Sequence, residues 1–385
     1  MQSFTNEQLR IIQAVEELAV SSATPVYVVG GVLRDFLLGY GVQHCDLDFI
    51  VEGDAHLFCN KVAGIIGGDV RAFKEFFTAK LLEPASVPSI AEIDFATART
   101  ETYTKPGVLP SVSTASIQDD LRRRDFTINA LAVSVSDLNR FLKDGAADRS
   151  GLSTKLHDYF EGQKDLEGKV LRILHERSFI DDPTRIFRAC RYAVRIGGTL
   201  ATESEQLLKA AVQSEALNTI SYFRKFTELK KIFSEECSAA IIELLAQYGV
   251  FSKFKLYAEA KAETVFNALR ALDTLSVPKG DDVKYNVALR IFFDGMDSSD
   301  RAEQFHEYGF GKKLIRHVIA DLENSKAIKV AAELSDEALV LGLLWGVSQE
   351  LEQELRSEMC KRGLIGGEYK KTQRTQRAAE FVTEK

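Results

Sequence analysis

Proline is confined almost entirely to the first half of the sequence. Six of the seven prolines lie at or before Pro183, and only Pro278 follows it. Because proline lacks a backbone N–H and breaks helix interiors, a region without it is free to form long helices. The chain of 385 residues is therefore expected to contain two structurally different parts.

The spacing of apolar residues changes along the chain in the same sense. Short apolar runs bounded by Gly and Asp, typical of strands, occur at Val26–Val29, Phe49–Val51 and Ile93–Ala96, and Ile128–Val135 fits a strand or a helix. Helical spacing follows Arg185, as in Ser204–Gln213, Ala239–Tyr248 and Glu263–Leu275. We predict an α+β fold with a small mixed-sheet head in 1–150, a helical neck in 151–220, and a helical body and tail in 221–385.

Composition limits the location and the partners. No run of about eighteen apolar residues occurs, which argues against a membrane span. The five cysteines have no zinc-ligand spacing and the N-terminus has no signal-peptide pattern, so a reduced, cytoplasmic location is expected. The net charge of −7 taken alone opposes a nucleic-acid partner, but the arginines are unevenly distributed.

A glycine pair follows the first predicted strand. Val26–Val29 leads into Gly30-Gly31, and Arg34 and Asp35 come one turn later. Glycines at such a turn let backbone N–H groups approach a phosphate, and the start of a following helix adds favourable partial charge. Alone, this pair indicates only a strand-to-helix turn.

Two aspartates lie two residues apart at the next apolar run. Because side chains alternate along a strand, Asp46 and Asp48 would share one face. Paired carboxylates suit Mg²⁺, which prefers oxygen ligands. Asp94 in the third predicted strand would complete a site for two metals, and Glu92, which has the same strand parity, stays an alternative.

Three adjacent arginines precede an apolar segment. After Asp125, the run Arg122–Arg124 is followed by the apolar segment Phe126–Val133, which implies that part of the run is buried. A buried arginine needs a partner. The run therefore indicates either an anionic ligand or acidic side chains of this chain.

Four further arginines have helical spacing. Arg185, Arg188, Arg191 and Arg195 are spaced 3, 3 and 4 residues apart, which places all four on one helix face. Like charges so placed repel each other, so the face would bind either a polyanion such as a triphosphate or acidic side chains elsewhere.

Taken in order, these motifs resemble the bacterial-type tRNA nucleotidyltransferase (CCA-adding enzyme) and poly(A) polymerase family. The resemblance covers roughly Val26–Ile196. It rests on Gly30-Gly31-x-x-Arg34-Asp35 with Asp46-x-Asp48, Asp94 with Ala98-Arg99-Thr100-Glu101, Arg123-Arg124-Asp125-Phe126-Thr127-Ile128-Asn129-Ala130, and Asp182-Pro183-x-Arg185-x-x-Arg188-x-x-Arg191-Tyr192. The implied fold is a nucleotidyltransferase head, a nucleotide-selecting neck, and an RNA-binding body and tail.

The resemblance also implies an activity and its residues. Catalysis is expected at Asp46, Asp48 and Asp94, with Mg²⁺ held by Asp46 and Asp48. Contacts with the incoming nucleotide are expected at Gly30, Gly31, Arg34, Arg124, Asp182, Arg185, Arg188 and Arg191. The expected reaction is template-independent addition of C and A, from CTP and ATP, to the 3′ end of tRNA with release of pyrophosphate. CC-only or A-only addition, poly(A) polymerisation, an inactive RNA-binding relative and the oligomeric state stay open.

Base choice has a physical explanation at Asp182 and Arg185. Cytosine and adenine both present an amino donor beside a ring-nitrogen acceptor, whereas guanine and uracil present the reverse. A carboxylate accepts from the amine and a guanidinium donates to the ring nitrogen. The segment Tyr103–Ile117, with two prolines, one glycine and several Ser and Thr, is predicted to be a loop that acts as a lever on this pair.

Overall fold

The computed structural model describes residues 4–43, 45–144, 150–251 and 259–274, with residues 287, 288, 291, 358 and 359. Much of the predicted body and tail, 221–385, therefore lies outside the described residues. The chain divides into two compact units, Met1–Asp181 with Leu200–Ser204, and Asp182–Thr199 with Glu205–Lys385. The domain boundaries predicted at residues 150 and 220 stay predictions.

The first unit contains a seven-stranded sheet and a separate hairpin. In chain order the strands are β1 (Val26–Val29), β2 (Leu47–Val51), β3 (Asp69–Phe73), β4 (Thr78–Leu82), β5 (Glu92–Thr97), β6 (Arg99–Thr102), β7 (Ser111–Thr114), β8 (Leu131–Ser134) and β9 (Leu156–Asp158). The sheet order is β3-β4-β5-β2-β1-β8-β9, and β6 pairs with β7. β2 and β5 run parallel, whereas the other neighbouring strands of the sheet are antiparallel.

Helices lie on both faces of this sheet. The helices of the first unit are α1 (Asn6–Ser21), α2 (Gly31–Leu37), α3 (Ala55–Ile66), α4 (Ile117–Arg122), α5 (Val135–Lys143), α6 (Ser150–Ser153), α7 (Gly162–Glu167) and α8 (Ser178–Asp181). Helices α1, α3 and α5 cover one face of this sheet, and α4 packs on the other face against Val29, Ile50 and Ala132. α1 packs against α3 and α5, which pack on the sheet. Phe49 of β2 stacks on Phe95 of β5 with ring centroids 5.2 Å apart, and Phe58 of α3 lies against Phe95. Burial of each such ring contributes about 1.5–3 kcal/mol, so this apolar layer holds β2 and β5 in place.

The hairpin corrects one prediction. The segment 103–117 was expected to be a loop, but Ser111–Thr114 is strand β7, and α4 begins at Ile117. Strand β7 is rich in Ser and Thr, which favour turns, yet Thr and Val also fit a pleated strand when a partner is present. The connecting loop is therefore only residues 103–110.

The described residues after 170 are mainly helical, with short exceptions. The chain continues with β10 (Val170–Leu171), α9 (Thr184–Ile196), β11 (Thr199–Leu200), α10 (Thr202–Gln213), α11 (Tyr222–Phe233), α12 (Ser238–Gln247) and α13 (Glu259–Thr274). Residues 151–220 were expected to be helical throughout, whereas β9, β10 and β11 lie there; strands of two or three residues are too short for periodicity to reveal. The α+β class is confirmed. Among the described residues, we find no helix with the length and apolar character needed to span a bilayer.

Candidate active site

The predicted carboxylates lie on the sheet face opposite Phe49 and Phe95. Asp48 of β2 is in register with Asp94 of β5, on the neighbouring parallel strand. Because alternate residues point to opposite faces, the two phenylalanines face helices α1, α3 and α5, and the two carboxylates face away from them. Asp46 lies one residue before β2 and is exposed.

The three carboxylates act on each other electrostatically. The pKa of Asp48 is raised to about 7, first by burial and then by the Asp94 and Asp46 carboxylates, while Arg124 and Lys80 lower it. Burial also raises the pKa of Asp94, which Lys80 opposes. A site that disfavours its own negative charge in this way favours a bound cation.

Lys80 forms ion pairs with both Glu92 and Asp94, the two candidates for the third carboxylate of the site. Its Nζ lies 2.6 Å from Glu92 Oε1 and 3.3 Å from Asp94 Oδ2. Asp94, not Glu92, is in register with Asp48, so the geometry favours Asp94 as the partner of Asp48. Lys80 itself was missed from the sequence, because its proximity to Asp94 depends on the pairing of β4 with β5.

The backbone of the glycine turn lies very close to the Asp48 side chain. Gly30 has φ +78° and ψ −144° and precedes α2, whose first residue is Gly31. A Cβ on Gly30 would lie 3.0 Å from Asp48 Oδ2 and 4.0 Å from Arg124 Nη1. Both the backbone conformation and this close approach require glycine. The turn thus brings backbone, carboxylate and guanidinium together.

Arg34 is almost fully buried beneath the turn. Its Nε donates to Asp35 Oδ1 at 2.9 Å and its Nη1 donates to Asn129 Oδ1 at 2.8 Å. Asn129 Nδ2 in turn donates to Asp125 Oδ1 at 3.1 Å. Arg34 is therefore a buried connection between the glycine turn and the segment after the triple arginine. Its predicted contact with the nucleotide stays a prediction.

The triple arginine has an internal acidic partner. Asp120 of α4, which is fully buried, lies 2.6 Å from Arg123 Nη2 and 3.1 Å from Arg124 Nη2. Arg122 is exposed. Arg124 Nη1 also donates to the backbone oxygen of Asn129 at 3.4 Å. The spacing of Asp120 from the two arginines, three and four residues on a helix, was a local signal that could have identified it.

On α9, two arginines lie near acidic residues, one in α11 and one just after its end. Arg191 Nη2 lies 3.9 Å from Glu228 Oε2, and Arg195 Nη1 lies 3.4 Å from Glu235 Oε1. Of the two partners considered for this arginine face, a polyanion or acidic side chains of the chain, the structure places acidic side chains near Arg191 and Arg195. Arg185 is buried and Arg188 is half-buried on the same helix.

Asp182 precedes α9 and is held on one oxygen. Its Oδ1 accepts from Thr184 N at 3.1 Å, from Thr184 Oγ1 at 2.6 Å, and from Arg224 Nη2 at 2.8 Å. Arg224, on α11, was not identified from the sequence, because 42 residues separate it from Asp182. Fixing Oδ1 orients the carboxylate and directs Oδ2 away from these three donors.

Two groups of predicted residues are thus assembled, one in each unit. The first unit brings together Gly30, Gly31, Arg34, Asp46, Asp48, Asp94 and Arg124. The second unit places Asp182, Arg185, Arg188 and Arg191 at the start and along one helix, α9.

Among the described residues, no three His, Cys, Asp or Glu side chains converge tightly enough to hold a metal by themselves. Mg²⁺ is commonly held by one or two carboxylates plus substrate phosphates, so a two-carboxylate set is compatible with it.

Comparison with known proteins agrees with this geometry. Residues 26–172 match the poly A polymerase head domain. The chain is 43% identical over 227 residues to the A-adding tRNA nucleotidyltransferase of Aquifex aeolicus, covering 59% of this chain and 25% of that protein. It is 32% identical over 228 residues to the multifunctional CCA protein of Neisseria gonorrhoeae, covering 58% and 48% of the two chains. It thus spans a half or less of the length of these two relatives.

A solved structure extends the similarity beyond the head. A tRNA nucleotidyltransferase complexed with a primer tRNA and an incoming ATP analog superposes with a TM-score of 0.66 at 31% identity, covering 91% of this chain and 98% of the other. The likeness therefore includes nearly the full length of both chains. On the shared head domain, the ordered motifs and this full-length likeness, the chain belongs to the tRNA nucleotidyltransferase and poly(A) polymerase family.

Proposed function

We propose that this protein adds nucleotides to the 3′ end of tRNA without a nucleic-acid template. The observation that carries the proposal is the register of Asp48 with Asp94 beside the Gly30 turn and Arg124. Paired carboxylates, a close backbone turn and a guanidinium in one place suit a nucleoside triphosphate. The relatives named above, which are A-adding or CCA proteins, support tRNA as the acceptor.

The proposed reaction is in-line displacement at phosphorus. The RNA 3′-hydroxyl loses its proton to water and its oxygen bonds to the α-phosphorus, while the bond from that phosphorus to the β-phosphate oxygen breaks and pyrophosphate leaves. Asp46 and Asp48 would hold Mg²⁺, which when bound lowers the pKa of the attacking hydroxyl and stabilises the leaving group. Gly30, Gly31, Arg34 and Arg124 would orient the triphosphate, and Asp94 would complete the carboxylate face. Catalysis then arises mainly from positioning and charge.

Two finer activities follow from different observations. Full addition of C and A is the first candidate, because the Asp182 and Arg185 pair is complementary to the edge that cytosine and adenine share. Addition of A alone is the second candidate, because the A-adding relative is 43% identical and the multifunctional CCA protein is 32% identical.

One experiment separates these activities. The full chain is incubated with Mg²⁺, CTP and ATP on three RNAs: tRNA lacking CCA, tRNA ending in C-C, and an unrelated RNA. Sequenced products ending in CCA on the first RNA support full addition, whereas extension of the C-C end alone supports A addition. Long A tracts on the unrelated RNA would identify a poly(A) polymerase instead.

The control is a variant that lacks the proposed metal ligand. Asp48→Asn should remove nucleotide addition, with a loss of several orders of magnitude, while the thermal unfolding midpoint stays near that of the wild type or rises. Addition at the wild-type rate by a folded Asp48→Asn protein in saturating Mg²⁺ rules out the metal assignment. No extension of any RNA by the wild type favours the inactive RNA-binding alternative.

A further inference from the structure

Asp120 divides its two carboxylate oxygens between two arginines. Oδ1 accepts from Arg123 Nη2 at 2.6 Å and from Nε at 3.0 Å. Oδ2 accepts from Arg124 Nη2 at 3.1 Å and from Nε at 3.3 Å. The Asp120 side chain is 0% exposed, and the Arg123 and Arg124 side chains are 17% and 16% exposed. One carboxylate therefore determines the orientation of both guanidinium planes.

The nitrogen of Arg124 that Asp120 does not bind lies toward the proposed active site. Arg124 Nη1 donates to the Asn129 backbone oxygen at 3.4 Å and lies beside the Gly30 turn, which itself contacts Asp48. Because the guanidinium is planar, holding Nε and Nη2 on Asp120 also sets the direction of Nη1. Asp120 thus determines where Arg124 presents its remaining donors.

On the opposite side, Arg123 connects the same carboxylate to the β6–β7 hairpin. Arg123 Nη1 donates to Glu101 Oε1 at 2.7 Å, and Arg123 Nε donates to the Arg99 backbone oxygen at 3.1 Å. Tyr103, at the start of the hairpin loop, donates its hydroxyl to Glu101 Oε2 at 2.9 Å. A continuous polar chain therefore runs from the loop through Glu101, Arg123 and Asp120 to Arg124.

Stability alone does not account for so many buried charges. Replacing a buried ion pair by apolar residues of similar volume is often neutral or stabilising, because desolvation offsets the Coulombic attraction. What an apolar replacement cannot do is fix the direction of a charged donor at a neighbouring site. The arrangement is thus better explained by orientation than by stabilisation.

We propose that Asp120 is a positioning residue that orients Arg124 toward the triphosphate of the incoming nucleotide. Through Arg123, Asp120 also connects Arg124 to the β6–β7 hairpin. The inference rests on the proposed function in one respect, namely that a nucleoside triphosphate binds at the Gly30 turn. It adds that Arg124 binds the nucleotide correctly only while Asp120 holds Nε and Nη2.

The test is a double-mutant cycle on nucleotide binding. Asp120→Asn preserves shape but leaves one accepting oxygen, so it cannot serve both arginines. Equilibrium binding of labelled ATP and CTP is measured with Mg²⁺ on the full chain, without RNA, for wild type, Asp120→Asn, Arg124→Ala and the double variant. We expect Asp120→Asn to weaken binding about tenfold, and to add less than about twofold in the Arg124→Ala background. The KM for tRNA should stay within about twofold of the wild type, which a general structural defect would not allow.

Asp119→Asn is the matched control, because it removes one charge from the adjacent position of α4 and should leave nucleotide binding unchanged. The inference is overturned if Asp119→Asn weakens binding as much as Asp120→Asn, or if Asp120→Asn weakens the Arg124→Ala protein by the same tenfold factor. Should Asp120→Asn not fold, Arg124→Lys replaces it: this variant keeps the charge without the planar fork. Wild-type affinity of Arg124→Lys for ATP then overturns the inference.

Failure of the proposed function gives a different result. If the wild type binds ATP but extends no tRNA, the proposed activity fails while the binding cycle still decides the role of Asp120. If the wild type binds neither ATP nor CTP, the inference fails as well.

Discussion

Asp182 and Arg185 are the two residues proposed to select the base of the incoming nucleotide. The Asp182 carboxylate is oriented through its Oδ1 by Thr184 and Arg224. In the proposed base selection, the oriented Asp182 carboxylate would accept from the exocyclic amine, and the guanidinium of Arg185 would donate to the adjacent ring nitrogen. Orientation matters here because hydrogen bonds weaken steeply with misalignment.

The first prediction concerns this pair. Asp182→Ala or Arg185→Ala should relax base choice more than it harms the fold, because one directional bond is lost. Discrimination against UTP and GTP should fall by about 1–3 kcal/mol, measured as kcat/KM for all four nucleotides. Asp181→Ala, which removes the adjacent carboxylate, serves as the control. Unchanged discrimination in both Asp182→Ala and Arg185→Ala would contradict the pairing.

A second prediction concerns the contact of Gly30 with Asp48. Gly30→Ala places a methyl group 3.0 Å from Asp48 Oδ2 on a backbone with φ +78°. The strained backbone should cost about 1 kcal/mol of unfolding free energy, and displacement of the carboxylate should lower kcat at least about tenfold. The measurements are urea unfolding and single-turnover addition of one nucleotide.

Gly64→Ala is the control for that substitution. Gly64 lies within α3, and a Cβ there would meet nothing within 4 Å. Since alanine favours helix by about 1 kcal/mol over glycine, Gly64→Ala should be stabilising and leave addition unchanged. If Gly30→Ala behaved like Gly64→Ala, the close approach at the turn would be unimportant for catalysis.

The loop of the β6–β7 hairpin contacts the residue before Asp182. Gly107, in its loop, donates its backbone N–H to the Asp181 backbone oxygen at 3.2 Å, and Asp181 is the residue before Asp182. Gly107 has φ +72°, so the loop conformation at this contact depends on glycine. The loop base is linked through Tyr103 to Glu101.

The third prediction is that shortening this loop separates the two additions. Removing residues 104–109, with a short turn rejoining β6 to β7, should reduce ATP addition to a C-C end more than CTP addition to a tRNA lacking CCA. The reason is that the loop contacts Asp181, the residue adjacent to the carboxylate proposed to select the base. Rates of both additions and a melting curve are measured on the same protein. An equal loss of both rates in a folded variant would show that the loop has no selective role.

Buried ion pairs make the stability of the protein depend on pH. Burial alone would raise the pKa of Asp120, but the Arg124 and Arg123 guanidiniums outweigh this and hold it below its usual value. A lowered folded-state pKa means that the unfolded chain binds the proton more readily. The Asp120 contribution is therefore complete above the unfolded pKa near 3.9 and is lost as pH falls through the lower folded pKa.

The fourth prediction follows from the lowered pKa of Asp120 in the folded protein. At pH 7, Asp120→Asn should lower the unfolding free energy by about 3 kcal/mol, since it leaves buried guanidiniums without their carboxylate. Below about pH 4 the difference between wild type and variant should shrink as Asp120 becomes protonated. Chemical unfolding followed by circular dichroism at both pH values measures this, with Asp119→Asn as a reference. A difference that is the same at pH 7 and pH 3 would contradict the assigned ion pairs.

Local patterns were enough to predict the parts that depend on neighbouring residues. Strand alternation predicted which face of each strand carries Asp48 and Asp94, and the structure shows that both side chains lie on one face of the sheet. The spacing of the arginines predicted the helix α9. These features follow from the backbone period of two or 3.6 residues, which operates within one element. The spacing of Asp120 from Arg123 and Arg124 carried the same kind of signal.

Contacts between distant segments were beyond such patterns. The register of β2 with β5, the position of Lys80 between Glu92 and Asp94, and the Arg224–Asp182 ion pair each join segments far apart in the chain or on separate strands. Strand β7 was missed because Ser and Thr fit turns and strands alike until β6 is present to pair with them. Strand propensities span only about 1 kcal/mol and depend on packing against neighbouring strands, so tertiary contacts decide such segments.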